Sequence, residues 1–354
     1  MSAASLVSPG LHAAAARIRA MVVDESVMVR HLLRLAFADD PAIEIVAAEA
    51  SGAAALERMR SAAVDVVALD VETPGMSETV RDLRQANPRA RIILLAPATR
   101  RGAAAAFEGL ALGADDYLVK TPASPADRTA SALRAELTAK ISQFFAAPPA
   151  PAPGPTPVVT QHTGRFRVLA IAASTGGPCA LAGLLAALPA RFPLPVMVAQ
   201  HAPPIFSRVL AERLDACSQL RAAEAIDGAE IERGRVLLAP GDSHLRLKRS
   251  AGGWAAALDR SAPEQARRPA ADVLFRSLAE QLGPSVLAVV LSGAGVDGLR
   301  GVREIRRAGG SCLAQDRCSS AVWDMPGAIA QAGLADKVLP LSQLAAELVR
   351  LAGA

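Results

Sequence analysis

Aromatic residues are scarce: they make up 3% of the chain, with a single Tyr and two Trp. That excludes the rows of stacking rings on which single-stranded nucleic acid binders rely. Cysteine is sparse too. Cys179, Cys217, Cys312 and Cys318 form no C-x-x-C pair and no regular spacing, so a disulfide-stapled secreted scaffold is not written here, and reduced thiols in a cytoplasmic protein are expected. No apolar run is long enough to span a bilayer, and no charged segment precedes an apolar one near residue 1, so no membrane insertion is expected. A large charge of one sign is also missing. The 38 Lys and Arg oppose 34 Asp and Glu for a net +4, compatible with an acidic protein surface as partner and too little to argue for nucleic acid. The histidines show neither the H-x-E nor the H-E-x-x-H spacing of catalytic zinc sites.

What is present is a large apolar fraction, 51% of 354 residues, enough for a sizeable core and long enough for two domains. From residue 18 the pattern alternates. Aliphatic strands are expected at 18–23, 43–48, 64–69, 92–95 and 117–119, with helices at 26–37, 53–59 and 124–145. Alternation of this kind implies a parallel sheet with helices on both faces. Ligands then gather at the carboxyl ends of the strands. Asp24 and Glu25 follow the first strand, Asp70 the third and Lys120 the fifth. Three carboxylates and an ammonium at one rim repel or neutralise one another unless a divalent cation and a phosphoryl group share the charge. One carboxylate is then a nucleophile that accepts the phosphoryl group.

These residues resemble the receiver domain of two-component response regulators. The resemblance implies that Asp24, Glu25 and Asp70 hold Mg²⁺, that Asp70 is the phosphoacceptor, and that Lys120 contacts the phosphoryl group. Receivers carry Ser or Thr directly after the fourth strand; here Leu95 is followed by Ala96 and Pro97.

A Pro-rich run at 146–157 has the composition of a semi-rigid extended spacer and marks the boundary between domains. The expected division is 17–145, a linker 146–164, and 165–354. Beyond the linker the alternation resumes, with strands at 168–172, 195–199, 235–238, 245–248 and 286–291 and helices at 178–188, 205–214, 270–282 and 299–307. The fold class is therefore α/β, two doubly wound parallel-sheet domains.

Three strand ends of the second domain carry Ser174, His201 and Asp297. A serine hydroxyl needs a neutral imidazole to take its proton, and the imidazole needs a carboxylate to fix its tautomer. Other readings stand beside this one. A serine before Gly-Gly-Pro is often only a helix N-cap, His244 rivals His201, and Asp242 rivals Asp297. The glycine-rich loop 292–298 lacks the Lys-Ser/Thr of a P-loop, and Ala-Ala-Ser-Thr-Gly is not the G-x-S-x-G elbow.

Six motifs taken together decide among these: Ala-Ser-Thr-Gly-Gly (173–177), Gln-His-x-Pro (200–203), Leu-Ala-Pro-Gly-Asp (238–242), Arg-Pro-x-x-Asp-Val-Leu-Phe-Arg-Ser-Leu (268–278), Leu-Ser-Gly-x-Gly-x-Asp-Gly (291–298) and Trp-x-Met-Pro-Gly-Ala (323–328). By these the chain resembles the chemotaxis receptor methylesterase family of the CheB type. The resemblance implies a serine carboxylesterase and amidase that needs no cofactor for hydrolysis. Its substrates would be glutamyl γ-methyl esters and specific glutamines on the cytoplasmic helices of methyl-accepting chemoreceptors, and a chemotaxis histidine kinase would be the phosphodonor. Ser174 is then the nucleophile, His201 the base and Asp297 the orienting carboxylate. Thr175 shapes the site, and the backbone N–H at Ala294 faces the oxyanion. In this family the unphosphorylated receiver is expected to cover the active site. A different class, a non-enzymatic response regulator that only binds partners, is the alternative expectation.

Overall fold

Three helix starts in the first half are set by short polar side chains. Ser26, Ser51 and Thr99 each accept a hydrogen bond from a first-turn backbone N–H and so cap α1 (Val27–Ala36), α2 (Gly52–Ser61) and α4 (Arg100–Ala111). Between them run β1 (Ile18–Val23), β2 (Ile43–Glu49), β3 (Val66–Asp70), β4 (Arg91–Pro97) and β5 (Asp116–Lys120). The helix α3 (Met76–Ala86) follows β3, and α5 (Ala126–Phe145) closes the unit. The five strands pair in parallel in the order β2-β1-β3-β4-β5. Their aliphatic side chains are buried on both faces, as parallel sheets covered by helices require. The computed structural model describes residues 17–120, 126–145 and 166–353. The expected linker 146–164, the first residues of the helix expected from 124, and the tail before Arg17 lie outside them.

The second unit is built on β6 (Val168–Ala173), α6 (Gly177–Ala186), β7 (Val196–Gln200), α7 (Pro204–Cys217), β8 (Arg221–Glu224) and β9 (Arg235–Leu238). A hairpin of β10 (His244–Ser250) and β11 (Gly253–Asp259) comes next, then α8 (Ala271–Leu282), β12 (Val286–Val290), α9 (Leu299–Arg307) and β13 (Ser311–Gln315). The chain ends with α10 (Asp324–Gln331), β14 (Lys337–Leu339) and α11 (Leu341–Ala352). The seven-stranded sheet has the order β14-β13-β12-β6-β7-β9-β8, and its pairings are parallel. The strand expected at 245–248 is not part of it. It belongs to the antiparallel hairpin, because residues 251–252 turn the chain straight back. Helices α3, α4, α10 and α11 and strands β8, β11, β13 and β14 go beyond the elements legible in the sequence.

Strand order places the site. β6 has β7 on one side and β12 on the other, so the chain leaves β6 in one direction and returns on the opposite flank. That reversal opens a crevice at the carboxyl ends of three adjacent strands. The first sheet repeats the device, with β1 between β2 and β3.

The two units share a buried apolar cluster. Three of the scarce aromatic side chains meet where they join. Tyr117 of β5 stacks on Phe206 of α7, with centroids 4.7 Å apart and planes 8° apart. Phe107 of α4 packs edge-on against both rings, at 5.6 and 5.9 Å, a geometry that adds specific attraction to the apolar burial. At the rim, Arg100 forms a two-pronged ion pair with Glu212 at 2.6 and 2.8 Å.

Candidate active site

Ser174 follows the last residue of β6 directly. Its own N–H donates to the Ser292 carbonyl at 3.0 Å, and its carbonyl accepts from Gly177 N–H at 2.8 Å. The turn is closed by Gly176, which has φ +76 and is itself the N-cap residue of α6. A β-carbon at Gly176 would lie 2.6 Å from Ala321 Cβ and 2.7 Å from Ser292 Oγ. Only glycine suits that backbone and that space. Helix α6 receives no side-chain cap hydrogen bond, so the plain reading of Ser174 as an N-cap does not hold. Its hydroxyl is committed elsewhere.

That commitment is to His201, the residue after β7. Ser174 Oγ lies 3.0 Å from His201 Nδ1, and His201 Nε2 lies 2.8 Å from Asp297 Oδ2. With the Asp297 carboxylate accepting from Nε2–H, Nδ1 keeps its lone pair for the serine proton. The ring therefore presents Nδ1, not Nε2, to the nucleophile. The side chains of His201 and Asp297 are 7% and 3% exposed, so little water competes for these bonds.

Asp297 is held by the backbone around it. Oδ2 accepts from Ala271 N–H at 2.7 Å, and Oδ1 accepts from Asp272 and Gly298 N–H, each at 2.9 Å. Two of these amides open α8, so the carboxylate also meets the positive end of that helix. Burial pushes the carboxyl up, but the His201 hydrogen bond and charge and the two α8 amides outweigh it. The net result lies below the ordinary aspartate range. Asp297 is thus a fixed negative charge, suited to steady an imidazolium.

The rivals are accounted for. His244 is wholly buried, accepts at Nδ1 from Ala270 N–H and donates from Nε2 to the Ala262 carbonyl, both at 3.2 Å. It is a satisfied core histidine. Asp242 is taken up by the Arg268 guanidinium.

Three supporting residues were not singled out from the sequence. Gln200 Nε2 donates to the carbonyls of Ser174 and His201, at 2.9 and 3.1 Å, tying two strand ends together. Ser292 Oγ donates to the Thr175 carbonyl at 2.7 Å. Asp272 donates its N–H to Asp297 and accepts from Gly301 N–H at 2.7 Å, which locks α8 to α9. The signal for Gln200 and Ser292 was their place, a polar residue ending an otherwise aliphatic strand. Thr175 lies beside the nucleophile, 3% exposed, and its hydroxyl donates to Gln143 Oε1 at 2.8 Å. Ala294 is buried in the loop after β12, and its N–H has no acceptor among the described residues. Ala172, two residues before the nucleophile, is wholly buried in one apolar cluster with Ala271 and Phe275, so its methyl group is absorbed by the core.

At the first sheet, Asp24, Asp70 and Lys120 come together. Lys120 Nζ is 2.8 Å from Asp70 Oδ2 and 4.0 Å from Asp24 Oδ2. Glu25 does not join them. It is exposed where the chain turns into α1, so the three expected carboxylates reduce to two, and no group of three metal-ligating side chains forms among the described residues. Asp24 is 2% exposed and its Oδ2 is buried without a hydrogen-bond partner. Burial above all, and the neighbouring Asp70 charge, push its carboxyl up to about 6 against the pull of the Ser26 N–H and Lys120. Two buried carboxylates, one with an orphaned oxygen, fit a divalent cation. Ala96 is buried in β4 and offers no hydroxyl there.

Residues 169–348 match the family model described as CheB methylesterase, and residues 20–130 match that of the response regulator receiver domain. A protein-glutamate methylesterase/protein-glutamine glutaminase of Nocardioides sp. is 42% identical over 349 residues, covering 94% of this chain and 95% of its own. One from Trichodesmium erythraeum is 38% identical, covering 95% of this chain and 99% of its own. The catalytic domain of Thermotoga maritima CheB methylesterase superposes with a TM-score of 0.52 at 39% identity, over 53% of this chain and 100% of that domain. With relatives so similar over nearly its whole length, the chain belongs to the CheB methylesterase family, as a receiver domain followed by a catalytic domain.

Proposed function

We propose that Ser174, His201 and Asp297 hydrolyse glutamyl γ-methyl esters and deamidate glutamines on the cytoplasmic helices of chemoreceptors. The observation that carries this is the hydrogen-bonded line Ser174 Oγ–His201 Nδ1, His201 Nε2–Asp297 Oδ2. Ser174 Oγ attacks the side-chain carbonyl carbon while Nδ1 takes its proton, and the fixed Asp297 charge stabilises the imidazolium. The developing oxyanion meets the free Ala294 N–H and the Thr175 hydroxyl. Collapse expels methanol or ammonia, which leaves with the proton from Nδ1. Water, deprotonated by the same nitrogen, then attacks the acyl-enzyme and releases the glutamate side chain and the free serine.

Phosphorylation controls the reaction in this reading. Asp70 accepts a phosphoryl group from a chemotaxis histidine kinase, Lys120 pairs with its oxygens, and the chain works in the cytoplasm. Asp24 and Asp70 would hold Mg²⁺, which supplies positive charge to offset the approach of phosphoryl and carboxylate. No helix among the described residues is long and apolar enough to cross a membrane. A regulator that acts only by binding has no use for a desolvated Ser-His-Asp line, and nothing in the site favours that alternative. Ser174→Ala is expected to lower methanol release from methylated receptor membranes by several orders of magnitude, roughly 10⁴-fold or more. Retained release would refute the assignment.

A further inference from the structure

The catalytic crevice is not empty of side chains from the first domain. Helix α5 brings its last turn against it, and two residues three apart, hence on one face, hold that turn in place. Lys140 pairs with Asp116 and lies 5.8 Å over the Tyr117 ring. Gln143 reaches past it, so that its carboxamide Oε1 accepts from Thr175 Oγ1 at 2.8 Å. A cavity of about 60 Å³ remains beside it, lined by Gln143, Ser174, Thr175 and His201 among others. That is room for water and not for a second side chain. Outside it opens a cleft of about 630 Å³ between the domains, lined in part by Tyr117, Lys140, Gln143, His201 and Arg267.

The chemistry of the occupant matches that of the substrate. A glutamine side chain, carried on a helix, turns its carbonyl oxygen to the hydroxyl next to the nucleophile. We infer that Gln143 is an internal copy of the substrate side chain, filling in cis the subsite that receives the substrate's γ-carbonyl. The inference rests on the reading of the site as a hydrolase of glutamyl side chains, and it adds to that reading what occupies the carbonyl donor before substrate arrives. Thr175 Oγ1 is held by Gln143, and a substrate helix enters only as the last turn of α5 leaves. Occlusion then has a specific competitor, beyond the bulk of the first domain.

The test uses the full unphosphorylated chain and a small fluorophosphonate, which reports access to Ser174 whether or not receptor esters are the substrate. Gln143→Leu keeps helix propensity and bulk but cannot accept the hydrogen bond, and Gln143→Asn keeps the carboxamide one methylene too short. Both are expected to label about five-fold faster than wild type, the effect of losing one competing neutral hydrogen bond. Arg100→Ala, which cuts the Arg100–Glu212 pair at the same domain junction away from the crevice, is expected to gain clearly less. With a soluble glutamyl γ-methyl ester peptide the Gln143 variants should lower KM and leave kcat unchanged. Labelling of both variants at the wild-type rate, or an equal gain in Arg100→Ala, would overturn the inference. Faster labelling without methanol release would uphold the occupied subsite and sink the esterase reading alone.

Discussion

Asp297 and Asp24 are both buried aspartates at strand ends, and their surroundings drive them in opposite directions. Asp297 receives three backbone N–H groups and an imidazole and stays charged. Asp24 receives one N–H, from Ser26 at 2.8 Å, faces Asp70, and is pushed up to about 6. The sign of the consequence follows. A carboxyl whose folded value lies above its unfolded value of about 3.9 favours the folded state fully only below that unfolded value. The contribution is lost as pH rises to 6 and beyond, so at neutral pH the metal-free first domain carries a charge it does not accommodate well. Asp24→Asn retains an oxygen for Ser26 N–H and removes the charge. Thermal unfolding without metal should show the variant melting higher than wild type by a few degrees, roughly 3 °C, at pH 7.5 and no higher at pH 4. Mg²⁺ should raise the wild type toward it. A variant less stable than wild type at pH 7.5 would show that the Asp24 charge is satisfied by contacts within the protein.

Elements, more than single residues, decide how the site is assembled. β6, β7 and β12 are neighbours in one parallel sheet, so Ser174, His201 and Asp297 meet although they are 27 and 96 positions apart in sequence. The turn from β6 into α6 depends on Gly176. Gly176→Ala is expected to cost about 1–3 kcal/mol of stability, because its β-carbon must displace Ala321 or Ser292 and its φ is unfavourable. Ser292 holds Thr175, so the same change should lower the rate by at least about ten-fold. Denaturant midpoints and steady-state rates of the variant would check both effects. The three strand ends could be read from sequence because each aliphatic run stops at a polar residue. What could not be read is what depends on distant packing. Glu25 sits beside Asp24 in sequence yet faces solvent, since the chain bends at Ser26 to start α1. His244 rivals His201 by its place in the sequence, yet its two nitrogens are paired to Ala262 and Ala270. α3 opens on the left-handed Gly75 without a side-chain cap, so the usual N-terminal signal is missing from its sequence.

Across the whole molecule, the two sheets use one design for two chemistries. Each gathers charged or nucleophilic groups at a strand-order reversal, and the aromatic stack of Tyr117, Phe107 and Phe206 joins the units close to both. Tyr117 lies three residues before Lys120 on β5 and helps to form the wall of the cleft between the domains. β5 therefore links the Lys120–Asp70 pair at its end to the wall of the catalytic cleft. The most direct test of the account is mass spectrometry of receptor helix peptides, methylated or carrying glutamine, after incubation with the full chain, a small-molecule phosphodonor and Mg²⁺. The account predicts that methyl-glutamyl residues lose the mass of one methylene and that specific glutamines become glutamates. It predicts that both conversions vanish in Ser174→Ala and slow sharply in Asp70→Ala. Unchanged peptides with the wild-type chain, or conversion that persists in Ser174→Ala, would contradict it.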